Sequence, residues 1–266
     1  MRTWLRIVVD LLALVLLLAY GLTVRHARRG AADPVWTAIV ERGELRVGTD
    51  PGFKPFVQER DGQWSGYDVD LTREIGRRLG LRVVFKATTY DALYDSLAAK
   101  QVDMLASALP LAPEQGWRAR FTSAYLDAGQ VLVTGKGSPI KGAGDLAGHV
   151  AAAALGSEGD TILRGPQRGG AAITLRTEYE TPAAALGALA AGDVDVVVTD
   201  TISALGLIET DRRFQIAGSL TFEPYVLALP VEAYQLHSRV EAALAEMRAE
   251  NYFARLNTKW FGAGLE

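Results

Sequence analysis

The chain of 266 residues has no cysteine and only three histidines, His26, His149 and His237, far apart in sequence. The first absence excludes disulfides, thiol catalysis, zinc fingers and a lipid carried on an N-terminal cysteine. The second leaves no metal-ligand cluster and no histidine paired with an acid, and no phosphate-cradling glycine loop of the P-loop kind occurs. No cofactor and no metal are therefore expected. Positive charge is also scarce outside the N-terminus. Residues 1–30 hold five Arg against one Asp, whereas the rest of the chain carries a net of −7 within a total of −3. Phosphate backbones require clustered Lys and Arg, so nucleic acid is not an expected partner. Long apolar runs are limited to one, and a mean hydropathy of +0.09 excludes a polytopic membrane protein. A hydrophobic content of 49% with 22% charged residues excludes a disordered chain. The length favours two lobes or one large α/β unit.

The one long run is Ile7 to Val24, eighteen residues or about 27 Å as a helix, close to the hydrocarbon thickness of a bilayer. From Leu11 onward it carries no charge, and Trp4 and Tyr20 stand where interfacial aromatics belong. Arg25, His26, Arg28 and Arg29 follow it, and only Gly30-Ala31-Ala32 offers a late cleavage site. Residues 1–30 are expected to be an uncleaved signal-anchor, a cleaved signal peptide being the alternative, with a linker over 31–39. Arginines flank both ends, and the positive-inside rule alone would leave the body cytoplasmic.

The body alternates strand and helix. Strands are expected at Leu45 to Gly48, Leu81 to Phe85 and Val102 to Leu109, with helices at Asp68 to Gly80 and Tyr90 to Lys100. The order returns as strands at Val150 to Leu155, Ala172 to Arg176 and Val194 to Thr199. Its helices are expected to begin near Asp160 and to run from Pro182 to Ala191. Leu97 to Leu105 aligns with Leu189 to Val197 at a constant offset, sharing Leu-Ala-Ala and Val-Asp in register. Helical crossovers imply parallel sheets, and the repetition implies two similar lobes. Ligands of such sheets sit beyond the carboxyl ends of the strands. The converging positions are then Asp50, Phe53, Ser107, Ala108, Gly156 to Glu158 and Asp200, a polar set suited to a small, charged solute.

Gly66-Tyr67-Asp68-Val69-Asp70-Leu71, followed by Ile75-Gly76 and Leu79, resembles the signature of bacterial extracellular solute-binding proteins of family 3, receptors of polar amino-acid ABC importers. Arg46 to Phe56 resembles that family's first strand and loop, Arg120 to Tyr125 its hinge entry, and Glu246 to Ala249 and Lys259 to Phe261 its closing helices. The resemblance covers about residues 40–262. It implies an α/β, two-lobed periplasmic-binding-protein fold (type 2, Venus-flytrap), preceded by an N-terminal transmembrane or signal helix. Its first lobe would comprise 40–127 and 225–262, and the inserted second lobe 132–220. It also implies an extracytoplasmic location, a monomer, and ABC permease subunits as partners.

Carried over position by position, the resemblance implies a pocket. Phe53 and Tyr90 would be walls from the first lobe and Leu155 would face them from the second. Ser107 would offer its hydroxyl and carbonyl, and Ser157 with the Glu158 amide would hold an anionic group. Asp200 would receive an α-ammonium, with Asp50 a weaker contributor better explained by its Asp-Pro-Gly turn. Ala108 and Pro110 stand where relatives often carry hydroxyl or small polar residues. Six residues before Phe121, relatives bear an Arg for the ligand's α-carboxylate, and here that position is Gln115. Arg118, one helical turn on, is the candidate replacement. The expected solute is an amino acid or related amine bearing an ammonium group, bound by hinge closure without chemistry. The alternatives are a membrane-tethered sensor and a prephenate-type dehydratase on the same fold, with Glu158 as its acid.

Overall fold

The computed structural model describes residues 33–165 and 172–261. The N-terminal apolar run lies outside the described residues, and none of the described helices is long and apolar enough to cross a membrane.

Two sheets carry the chain. The first has the order β4-β1-β5-β13-β6, formed by β1 (Glu44–Thr49), β4 (Arg82–Ala87), β5 (Met104–Pro110), β6 (Ala119–Phe121) and β13 (Pro224–Pro230), with β7 (Leu126–Asp127) also on β13. The second has the order β10-β9-β11-β8-β12, from β8 (Gln130–Gly135), β9 (Val150–Ala152), β10 (Thr174–Arg176), β11 (Val196–Asp200) and β12 (Phe214–Ser219). In each, three parallel strands meet one antiparallel strand, β13 on β5 and β8 on β11. This is the two-lobed α/β architecture the repetition implies. A small hairpin, β2 (Gln58–Arg60) with β3 (Gln63–Ser65), interrupts the first lobe.

The aligned Val-Asp pairs have one physical cause. Asp103 donates its N–H to the Arg46 carbonyl at 2.8 Å and accepts the Arg46 N–H on its carboxylate at 2.9 Å. Asp195 makes the same reciprocal pair with Val150, at 2.8 Å in each direction. Each aspartate thus closes the entry of the central strand where ladder bonding has not begun, satisfying groups that burial would leave unpaired.

The signature segment forms helix α2 (Tyr67–Leu79), which buries Val69, Leu71 and Ile75, the stripe its spacing predicts, and ends on Gly80 in the left-handed conformation. Gly66 is required before it: at φ 141°, a Cβ there would lie 2.0 Å from the Phe56 carbonyl oxygen. Asp70 reaches the last helix, α8 (Tyr252–Phe261), accepting from Lys259 Nζ at 2.6 Å and Trp260 Nε1 at 2.8 Å.

Elsewhere the boundaries differ from expectation. The linker expected over 31–39 is largely helix α1 (Pro34–Arg42): Asp33 caps it through the Val35 and Trp36 amides and also accepts the Gln235 N–H, while Ile39 is fully buried. The helix expected from Tyr90 begins as a 3-10 turn, Tyr90–Ala92, before α3 (Leu93–Ala98). The strand expected to reach Leu155 ends at Ala152, because the Leu155 N–H turns to the Tyr179 carbonyl. Helix α4 (Glu158–Arg164) starts before Asp160, capped by the Ser157 hydroxyl.

Two adjacent crossovers join the lobes. Asp127 accepts the amides of Gly129 at 3.0 Å and Glu223 at 2.9 Å, and the Ala128 N–H reaches the Glu223 carbonyl. A Cβ on Gly129 would meet the Thr221 carbonyl oxygen at 2.3 Å, so the two crossing segments touch through bare backbone. Helix α6 (Thr201–Thr210) follows β11 in the second lobe, yet its Leu205 is buried in the core that holds Leu256 and Phe261 of α8.

Candidate functional site

The first-lobe half of the cleft is built around Asp50, just past β1. Its Oδ1 accepts the Gly52 N–H at 2.8 Å and its Oδ2 the Tyr90 N–H at 3.0 Å. One carboxylate therefore fixes the turn that carries Phe53 and draws it beside Tyr90. The Asp50 N–H goes to Ser107 Oγ at 3.0 Å, and Ser107 is wholly buried. The hydroxyl expected to reach a ligand is thus engaged within the lobe, leaving the carbonyl as its other polar group.

Next to it, Ala108 holds a left-handed backbone, φ 47°, rare for a residue with a Cβ. Its N–H donates to Asp68 Oδ2 at 2.6 Å, deep in the lobe. Burial pushes the Asp68 carboxyl up to about 7, with the Ala108 amide and the neighbouring Tyr125 hydroxyl pulling the other way. Pro110 ends β5 opposite Tyr225. Gln115 lies in a 3-10 turn, Pro113–Gln115, and its amide oxygen is shielded from solvent with no donor on it. Arg118 does not stand free to replace a missing guanidinium: Asp95 binds it, and it lies over the rings of Trp117 and Tyr94 at 5.3 and 5.7 Å.

The second lobe supplies Leu155, Ser157, Glu158 and Asp200. Ser157 Oγ accepts the Asp160 N–H at 3.2 Å, capping α4. Asp200, at the end of β11, caps α6 through Oδ1 and the Ser203 N–H at 2.8 Å, while Oδ2 lies 3.4 Å from the Thr199 hydroxyl. Phe53, Tyr90 and Leu155 remain 43, 45 and 57% exposed, so their faces are open to a ligand.

Glu223, in the second crossover, is a candidate that the sequence did not single out. Burial raises its carboxyl, and so do the charges of Glu158, Asp200 and Asp127. Glu223 in turn raises Tyr90 and Tyr225, in both cases after burial. Glu223 is thus the group through which charges of both lobes are felt at the second crossover. Gln130 links these segments, pairing with Asp200 in the β8–β11 ladder and donating from Nε2 to Glu158 Oε2 at 3.4 Å. The available signal was an acid placed inside an expected crossover.

Two α/β lobes joined by paired backbone crossovers define the two-lobed binding-protein class. The chain belongs to the bacterial extracellular solute-binding proteins, family 3, whose model matches residues 45–263. It is 28% identical over 259 residues to the L-cystine-binding protein TcyJ of Escherichia coli, covering 95% of this chain and 96% of that one. It is also 28% identical to the L-cystine-binding protein TcyA of Bacillus subtilis, over 86% of this chain and 85% of that one. Among solved structures, an ancestral cyclohexadienyl dehydratase superposes with a TM-score of 0.75 at 26% identity, over 87% of this chain and 97% of that one.

Proposed function

We propose that the cleft captures a small polar solute, an amino acid or a related amine, and that the two lobes close on it about the 127–129 and 221–223 crossovers. The observation that carries this is the pair of adjacent crossovers, where Asp127 accepts the Gly129 and Glu223 amides and Gln130, next along, bonds the Thr221 hydroxyl and the Glu158 carboxylate. A solute bound to one lobe gains contacts from the other only in the closed form, so occupancy shifts the population toward closure. ABC permease subunits then read the closed shape. The N-terminal run of residues 7–24 tethers the receptor outside the cytoplasmic membrane.

Within the cleft, Asp200 receives the ammonium group through its Oδ2, since Oδ1 is held by the helix cap. Phe53 and Tyr90 pack on the ligand's stem with Leu155 opposite, and the Ser107 carbonyl and the Ala108 segment complete the first-lobe wall. Binding proceeds without turnover. Of the described histidines, His149 lies 3.4 Å from Asp195 and His237 contacts the Phe121 carbonyl, so neither is set beside Glu158 as a proton-transfer partner. Calorimetric titration of the wild-type chain and of Asp200→Asn with amino acids and amines tests the reading. Equal affinities would remove Asp200 from the site.

A further inference from the structure

Exposed apolar side chains also gather at one end of the first lobe, away from the cleft. The strand registers define that end. Glu44 begins β1, Met104 begins β5, and Pro230 ends β13 opposite Ala119, the first residue of β6. The crossovers lie past the other end of the same sheet, where Tyr225 pairs with Leu126 and Pro224 with Asp127. Helix α1 lies at the pole opposite the hinge, its Asp33 cap holding the Gln235 N–H of helix α7 (Tyr234–Ala249). Trp117 stands beside it, lining one groove with Pro230 and Glu232. Trp117, Tyr234 and Val40 are 76, 63 and 50% exposed, and Trp36, one turn before Val40 on α1, is half-buried. Such a gathering of exposed apolar groups on one face marks a surface that meets something other than water.

The rings at this pole carry positive charge. The Arg120 guanidinium lies 4.3 Å from the centre of the Tyr234 ring while donating to the Val231 carbonyl at 3.1 Å, and that of Arg239 lies 4.4 Å from the Trp36 ring. Neither has a carboxylate partner among the described residues, whereas Asp95, Asp103 and Glu232 at the same end are each paired with an Arg or Lys. A chain that carries a net of −7 beyond residue 30 thus presents unpaired guanidiniums on exposed rings at one pole. Trp and Tyr settle at the headgroup level of a bilayer, and Arg settles on lipid phosphates. The course of the chain says what covers the pole. Only residues 25–32 separate the apolar run Ile7 to Val24 from Asp33, and they reach no further than about 30 Å.

We propose, building on the tether of the receptor reading, that the α1 pole of the first lobe rests on the lipid headgroups of the membrane. Trp36, Trp117 and Tyr234 sit at headgroup level, and Arg120 and Arg239 bind lipid phosphates. The first lobe is then the stationary part of the receptor. The second lobe stands beyond the hinge, away from the bilayer, and closure swings it against a fixed partner.

The absence of cysteine makes the chain a ready background for single labels. Thr37→Cys on α1 and Ser238→Cys on α7 put a fluorophore at the pole, and Lys136→Cys, just past β8, puts one at the far end of the second lobe, all three at exposed positions. The full chain is reconstituted into phosphatidylcholine–phosphatidylglycerol vesicles containing lipid spin-labelled on the headgroup, which quenches at short range. The two pole labels should be quenched at least about threefold more strongly than the Lys136 label. Each basic residue near an anionic surface contributes about fivefold, so Arg120→Gln with Arg239→Gln should lower the ratio of docked to undocked chain by about tenfold or more. Added salt, or vesicles of phosphatidylcholine alone, should act in the same direction. Trp117→Ser with Tyr234→Ser should weaken quenching too, and both side chains are exposed enough to leave the fold intact. Equal quenching at all three positions, in chain that stays with the vesicles, would overturn the docking and leave the tether standing. Chain that leaves the vesicles in a carbonate wash would overturn the tether and the docking with it. Pole labels that respond to protein density and not to spin-labelled lipid would show a second copy on this face and overturn the docking as well.

Discussion

Asp68 and Ala108 are joined by a 2.6 Å hydrogen bond from the Ala108 amide to a carboxylate with 1% of its residue surface exposed. The bond connects the family signature on α2 to the β5 terminus at the cleft, and it holds Ala108 in a left-handed conformation that an alanine resists. The acid is therefore more than a complement to the helix dipole.

Its burial gives a prediction with a definite sign. The Asp68 carboxyl is raised to about 7 in the folded chain, so between the ordinary aspartate value and 7 the native state binds more protons than the unfolded one. Its contribution to stability is complete at the acid end and is lost as pH rises through that window, by about 1.4 kcal/mol per pH unit. Asp68→Asn, which keeps an acceptor for Ala108, should flatten this dependence. Denaturant unfolding of both proteins at pH 5 and pH 8 measures it, and an unchanged difference between the two pH values would contradict the assignment.

Asp103 and Asp195 occupy equivalent places in the repeat but not equivalent surroundings. Asp103 is buried and binds Arg46 at 2.8 Å and Arg42 at 2.5 Å besides its backbone pair, whereas the Asp195 side chain is 51% exposed beside His149. Removing the first strands two guanidiniums and an amide, and removing the second frees groups that water can reach. Asp103→Ala should cost about 2–3 kcal/mol and Asp195→Ala about 1 kcal/mol, read from denaturation midpoints.

The parts of the fold that repeat locally were legible in the sequence. The α2 stripe of Val69, Leu71 and Ile75 expresses a requirement met within a few residues, and the Val-Asp alignment was visible as a repetition although its partners, Arg46 and Val150, lie far off in sequence. Helix α1 carried local signals, Asp33-Pro34 at its start and Gly43 at its end, but its anchoring, Asp33 on Gln235 and Ile39 in a distant core, lies outside any local window. In the site, Asp50 and Asp200 were visible as acids after strands. Glu223 was not legible either, since the charges that raise it, Glu158, Asp200 and Asp127, belong to other segments that only the tertiary fold brings near it. Arg118 does follow Gln115 by one turn, its N–H on the Gln115 carbonyl at 2.8 Å, but its ion pair with Asp95 lies outside any local window.

Gln115 offers a gain-of-function check. If it stands at the carboxylate position, Gln115→Arg should raise affinity for arginine or another α-amino acid by about tenfold or more without a like gain for agmatine, which lacks the carboxylate. The comparison is made by calorimetry on the same preparations. An Arg that left both ligands unaffected would mean that position 115 does not face the ligand.

Asp200 has two roles that substitution can separate. Its Oδ1 caps α6 through the Ser203 N–H, a bond that an asparagine oxygen makes equally well, while its charge serves the cationic ligand. Asp200→Asn should therefore leave unfolding within about 0.5 kcal/mol of wild type and reduce the affinity of an ammonium-bearing ligand by at least about tenfold. Asp200→Ala should lose affinity too, and about 1 kcal/mol of stability with the cap. Thermal unfolding without ligand reads the first role and calorimetry reads the second. If both variants lost stability alike and kept their affinity, the aspartate would be only a helix cap, and the ammonium position would have to be sought at Glu158 or Glu223.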